Sequence, residues 1–74
     1  MAKPRSINGA RKRGWHIVRI PSRKDLSWVG IMITIDRMIT GHRLFLYDMQ
    51  GGGFAALENE TDASKVQFQF GEFG

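Results

Sequence analysis

Residues 27–41, SWVGIMITIDRMITG, form the longest apolar-dense run of the chain, and whether they make a helix or a strand decides the fold. As a helix, the run places Ser27, Gly30, Thr34, Arg37 and Gly41 on one polar stripe at three- and four-residue spacing. Val29, Met32, Ile33, Ile35, Met38 and Ile39 are then left for the core, and Gly41 falls where a C-terminal cap belongs. As a strand, it alternates Val29, Ile31, Ile33 and Ile35 against Gly30, Met32, Thr34 and Asp36, with the β-branched content strands favour. Length, capping residues and the polar stripe favour the helix.

Working outward, residues 15–20, WHIVRI, alternate as a strand that Pro21 closes, because proline has no N–H to continue a ladder. A polar turn follows in which Ser22, Asp25 and Ser27 are each candidate helix caps. On the other side, residues 42–49, HRLFLYDM, have strand periodicity, residues 50–53 form a glycine-rich reversal, and residues 54–58 return as an antiparallel partner. Asn59 with Glu60 and Asp62 behind it reads as a helix start, since the macrodipole favours acids in the first turn. Ala63, Val66, Phe70 and Phe73 then recur at helical spacing, although Val66, Phe68 and Phe70 also alternate as a strand would, and the cap favours the helix. The expected architecture is α+β, in the order β-α-β-β-α, with a small three-stranded sheet carrying two helices on one face. A small all-β barrel is the alternative should residues 27–41 be extended.

The net charge of +4 conceals a division. Before Asp25 stand Lys3, Arg5, Arg11, Lys12, Arg13, Arg19, Arg23 and Lys24 with no acid among them; from Asp25 onward seven acids face three bases. Residues 1–14, MAKPRSINGARKRG, combine five of those bases with Pro, Gly, Ser and Asn and little apolar content. That composition reads as an extended basic arm attached to a single domain of residues 15–74. At 74 residues the chain has room for one core, near the size where burial only just offsets chain entropy. It has no cysteine, which excludes disulfides and thiolate metal sites and fits a cytoplasmic setting. No apolar run is long enough for a membrane helix, so no membrane partner is expected.

Phe54 to Gly71, FAALENETDASKVQFQFG, includes Glu58, Asn59, Asp62, Ala63, Phe68, Phe70 and Gly71. These residues resemble a C-terminal pattern of small bacteriophage-encoded accessory proteins: a short strand, an acidic EN-x-x-DA turn and an amphipathic helix ending in alternating aromatics and glycine. The resemblance covers about a quarter of the chain, and Lys65 departs from the apolar positions of the pattern. It implies a phage accessory protein acting in the host cytoplasm and carries over no catalytic residue.

Catalytic constellations are scarce. His16 and His42 are the only imidazoles and lie far apart in sequence; the run from Gly51 to Gly53 lacks the Lys and Ser/Thr of a phosphate loop; no serine occupies a nucleophile elbow. A non-enzymatic protein without a cofactor is expected. Binding is the better prospect, through the arm residues Lys3, Arg5, Arg11, Lys12 and Arg13. Arg43, Phe45 and Tyr47 join them if Leu44 and Leu46 face the helices. The opposite orientation, with Phe45 and Tyr47 inward, is equally compatible with the alternation. The partner expected is a larger protein or nucleoprotein complex that the chain modulates or helps to assemble. Nucleic-acid binding through the arm and a structural role in the virion are the alternatives.

Overall fold

The Ser27 hydroxyl settles the ambiguous run. It accepts a hydrogen bond from the Gly30 N–H at 3.2 Å, satisfying one of the donors a helix start leaves orphaned, and residues beyond it are helical. The computed structural model describes residues 3–71, with α1 (Ile7–Lys12), β1 (His16–Ile20), α2 (Trp28–Met38), β2 (Arg43–Tyr47), β3 (Gly53–Leu57) and α3 (Glu60–Phe70). The fold is small α+β: an open three-stranded antiparallel sheet in the order β1-β3-β2, not a closed barrel, with helices packed against it.

Register assigns the two faces of the sheet. Val18 and Phe45 both lie opposite Ala55, and with Ile20 and Leu57 they join Ile31, Ile35 and Ile39 of the α2 region and Ala63, Val66 and Phe70 of α3 in one core. Ile17, Arg19, Phe54, Ala56, Leu44 and Leu46 point to the other face. The Arg19 guanidinium lies 5.8 Å from the centre of the Phe54 ring on that face.

The buried stripe of α2 is narrower than expected and rotated. Ile31 and Ile35 are buried and Trp28 and Met38 pack beside them, a three-four-three spacing along one side of the helix. Val29 and Ile33, expected in the core, are 59% and 47% exposed. Because the helix is apolar almost all round, spacing alone leaves its rotation open, and packing against the sheet selects the side that carries Trp28. The helix also ends earlier than expected. Ile39 caps it in extended conformation with φ −119° and is itself buried, so Gly41 is no cap. The Gly41 N–H instead donates to Asp62 Oδ2 at 2.9 Å, tying the α2–β2 connection to α3.

Helix α3 begins at Asn59 as expected, but the Asn59 side chain makes no capping bond and its amide donates to Asp62 Oδ2 at 3.4 Å. Val66 and Phe70 are buried while Phe68 is 80% exposed, which is helical and not strand periodicity. Phe73, placed on the same stripe from the sequence, lies outside the described residues. Gly53 is more than part of a reversal. A Cβ there would meet the Trp28 ring at 2.7 Å, so the absence of a side chain lets the indole lie against β3.

The basic arm is corrected most. Residues 7–12 are helical and α1 packs on β1 through Ala10, its one buried residue, so the segment is not extended throughout. Six residues make a helix that is marginal alone, and local caps hold it. Ser6 Oγ accepts from the Gly9 N–H at 3.0 Å at one end. At the other, the Trp15 N–H bonds the Ala10 carbonyl and the Gly14 N–H bonds the Arg11 carbonyl, each at 3.0 Å, with Gly14 at φ +78°. This is a Schellman turn, in which glycine takes the left-handed position at no steric cost.

Candidate functional site

That turn folds the chain back so that the last turn of α1 stands beside the start of β1, and α3 packs along the same strand. Between them lies an open groove of about 490 Å³. Arg11 from α1, Trp15 and His16 at the head of β1, and Glu60, Ser64 and Gln67 along one side of α3 line it. Val18 and Ala63, both buried, also contribute to its lining. Trp15 is half-buried, while Arg11, His16, Ser64 and Gln67 are exposed. The volume falls in the range of roughly 300–1,000 Å³ typical of small-ligand sites. A cation, a carboxylate, a tryptophan and several neutral hydrogen-bonding side chains thus line one concavity.

The residues expected to bind a partner separate into two groups. Lys3, Arg5, Arg11 and Lys12 are exposed and make no ion pair among the described residues; Arg13 is exposed at the C-terminal cap of α1. Arg43, Phe45 and Tyr47 do not form an outward row, because the register turns them to the helix side. The Arg43 guanidinium pairs with Asp36 Oδ1 of α2 at 2.9 Å. Phe45 and Tyr47 each meet the Trp28 ring edge-on with centroids 6.3 Å apart. Tyr47 nonetheless stays 63% exposed at the end of its strand. Of the two orientations the alternation allowed, the register selects the one with Leu44 and Leu46 on the face away from Phe45 and Tyr47.

Trp15, His16, Ser64 and Gln67 were not singled out as binding residues from the sequence. The legible signal lay at α1: Ser6 as a cap, bases in the last turn and Gly14 just beyond read as a short helix leading into Trp15.

Most acids outside the groove are engaged within the fold. Asp25 accepts from Arg23 Nε at 3.2 Å and Nη2 at 2.9 Å, and this fork holds its carboxyl below the ordinary aspartate range. Glu58 Oε1 lies 3.2 Å from His42 Nδ1, and Asp62 is buried as an acceptor. Among the described residues no three His, Asp or Glu side chains converge as a metal site, and no helix is long and apolar enough to cross a membrane. Comparison with protein-family models, with curated proteins and with solved structures finds no match to this chain.

Proposed function

We propose that this chain is a non-enzymatic, phage-encoded interaction protein that docks on a larger macromolecular complex in the host cytoplasm, using the basic surface of its N-terminal segment. The observation that carries the reading is the segregation of charge. Lys3, Arg5, Arg11 and Lys12 stand exposed without an ion pair among the described residues, whereas Asp25, Asp36 and Glu58 have partners nearby and Asp62 is buried. Cations left unneutralised by their own fold attract an anionic surface at long range and speed encounter with it. The phage origin rests on the EN-x-x-DA segment alone.

Size fractionation of bacterial extract to which the intact chain has been added tests this reading. At low salt the chain is expected to run with high-mass material, and a variant with Lys3→Glu, Arg5→Glu, Arg11→Glu and Lys12→Glu is expected to run as free protein while keeping its circular dichroism. Elution of both as free protein overturns the proposal.

A further inference from the structure

We infer that the free edge of β2 seats a second copy of this chain, paired antiparallel about Phe45 into a two-fold dimer with one continuous sheet. The inference goes beyond the docking reading and does not depend on it. Ladder parity shows which backbone groups the edge offers. The Asp48 N–H bonds the Gly52 carbonyl at 2.9 Å and the Glu58 N–H bonds the His42 carbonyl at 3.1 Å, both in the register that sets Leu44 opposite Ala56 and Leu46 opposite Phe54. Bonded and unbonded pairs alternate along an antiparallel ladder, so residues 42, 44, 46 and 48 turn their backbone groups to β3. Arg43, Phe45 and Tyr47 turn theirs outward, where no turn, loop or cap bond takes them up among the described residues.

The β1 edge is guarded and the β2 edge is not. On β1 the outward residues are Ile17 and the exposed Arg19, Pro21 follows the strand, and α1 packs against it. Charge, proline and a covering element are what keep an edge strand from pairing. From Leu44 to Tyr47 the β2 edge has no charge, proline or glycine. The strand is also its own complement. Centred on Phe45, an antiparallel pair sets Leu44 opposite Leu46 of the second copy, Arg43 opposite its Tyr47, and His42 opposite its Asp48. All the outward backbone groups of Arg43, Phe45 and Tyr47 then find partners, and the basic end of each strand meets the acidic end of the other. Helix α2 favours a copy of this chain over a foreign strand. Asp36, which reaches Arg43 of β2 at 2.9 Å, shares one side of α2 with Val29, Met32 and Ile33 at three- and four-residue spacing. Val29 and Ile33 are 59% and 47% exposed, so the side of the helix nearest the edge strand carries apolar surface in water. The two-fold brings this stripe toward its counterpart, whereas an isolated peptide strand would leave it exposed.

Sedimentation equilibrium of the full chain from micromolar to millimolar concentration, with hydrogen exchange on the same samples, tests the inference. A monomer–dimer equilibrium is expected, with the Phe45 and Tyr47 amides gaining protection as dimer forms. Leu44→Lys with Leu46→Lys sets lysine opposite lysine across the dyad and is expected to weaken dimerisation about tenfold. Leu44→Lys with Leu46→Glu sets each lysine opposite a glutamate and is expected to restore it, at the same loss of apolar surface. Both leucines are half-buried and lie outside the main core, and circular dichroism checks that each variant folds. Exchange in the intact chain decides the matter should one fail to. Equal loss of the dimer in both folded variants overturns strand pairing in favour of association through the apolar sheet face. A dimer whose Phe45 and Tyr47 amides stay unprotected overturns it in favour of another surface. A chain still monomeric at millimolar concentration overturns it and leaves the edge to a strand of another protein. The basic segment is untouched by all of these outcomes, and the fractionation experiment decides the docking reading separately.

Discussion

The two edge strands of the sheet carry similar residues and use them differently. Both β1 and β2 pair with β3, and each has an arginine and a tryptophan close by. At β2 these groups close on one another: Arg43 pairs with Asp36, and Trp28 meets Phe45 and Tyr47 edge-on above Gly53. At β1 they stay apart, Arg11 and Trp15 lining an open groove whose far wall is polar. The difference teaches that an arginine near an aromatic ring is no signature of binding in itself. What separates the two edges is whether the arginine and the ring meet partners within the fold, as Arg43 and Trp28 do at β2, or line a groove open to solvent, as Arg11 and Trp15 do at β1.

The two tryptophans should break this comparison most sharply. Trp28→Ala removes the indole that joins α2 to β2 and β3, and is expected to cost about 3 kcal/mol by urea denaturation. Trp15→Leu, which lies outside the main core and leaves an apolar side chain in place, is expected to cost about 1 kcal/mol. Equal costs would mean that the β1 edge is as much a part of the core as the β2 edge.

The two serine caps form the next pair. Ser27→Ala and Ser6→Ala each remove one side-chain acceptor from a helix start and should each affect their own helix by about 1 kcal/mol. Their consequences diverge because α2 is built into the core and α1 is not. Ser27→Ala is expected to lower the global unfolding midpoint, whereas Ser6→Ala should mainly speed hydrogen exchange in residues 7–12. A global loss from Ser6→Ala as large as that from Ser27→Ala would join the two edges into one cooperative unit.

The Arg43–Asp36 pair sharpens the comparison on a smaller scale. Its aspartate is about half exposed, so a double-mutant cycle with Arg43→Ala and Asp36→Ala is expected to give a coupling below about 1 kcal/mol. A larger coupling would make electrostatics, and not aromatic packing, the closure of the β2 edge.

Asp25 should give the smallest effect and serves as a reference away from both edges. Its pKa is lowered in the fold by the Arg23 fork, so its contribution is present above the ordinary aspartate pKa of 3.8 and fades as pH falls through the lowered folded value. The difference in thermal midpoint between the intact chain and Asp25→Asn is therefore expected at neutral pH and should vanish in acid. A difference that persisted in acid would assign it to packing rather than charge.

Much of the fold was legible because it depended on local physics. Asn59 marked a helix start and Ser27 was one of three candidate caps for another, the alternation around Val18 and Phe45 marked strands, and Pro21 and the glycine run marked their ends. Alternation did not say which side of β2 faced inward, since Leu44 and Leu46 are as apolar as Phe45 and Tyr47. The register against Ala55 and the position of Trp28 made that choice. In the arm, five bases and little apolar content mask a helix that Ser6 and Gly14 cap, although charge and helicity are compatible in a short exposed segment. The groove was legible in part. Arg11 stood out as a cation, but Ser64 and Gln67 carry no signal until α3 is laid along β1.

The sequence by itself pointed to the strands and to the two longer helices, favoured an α+β domain over a barrel, and showed that its positive charge gathers before Asp25. These follow from caps, periodicity and composition, which act within a few residues. Tertiary structure alone decided the rotation of α2, the inward turn of Phe45 and Tyr47, and the meeting of Arg11, Trp15 and Gln67 in one groove. Each of those depends on which of several comparably apolar or polar faces packs against a distant segment, a choice made by shape and register across the sheet.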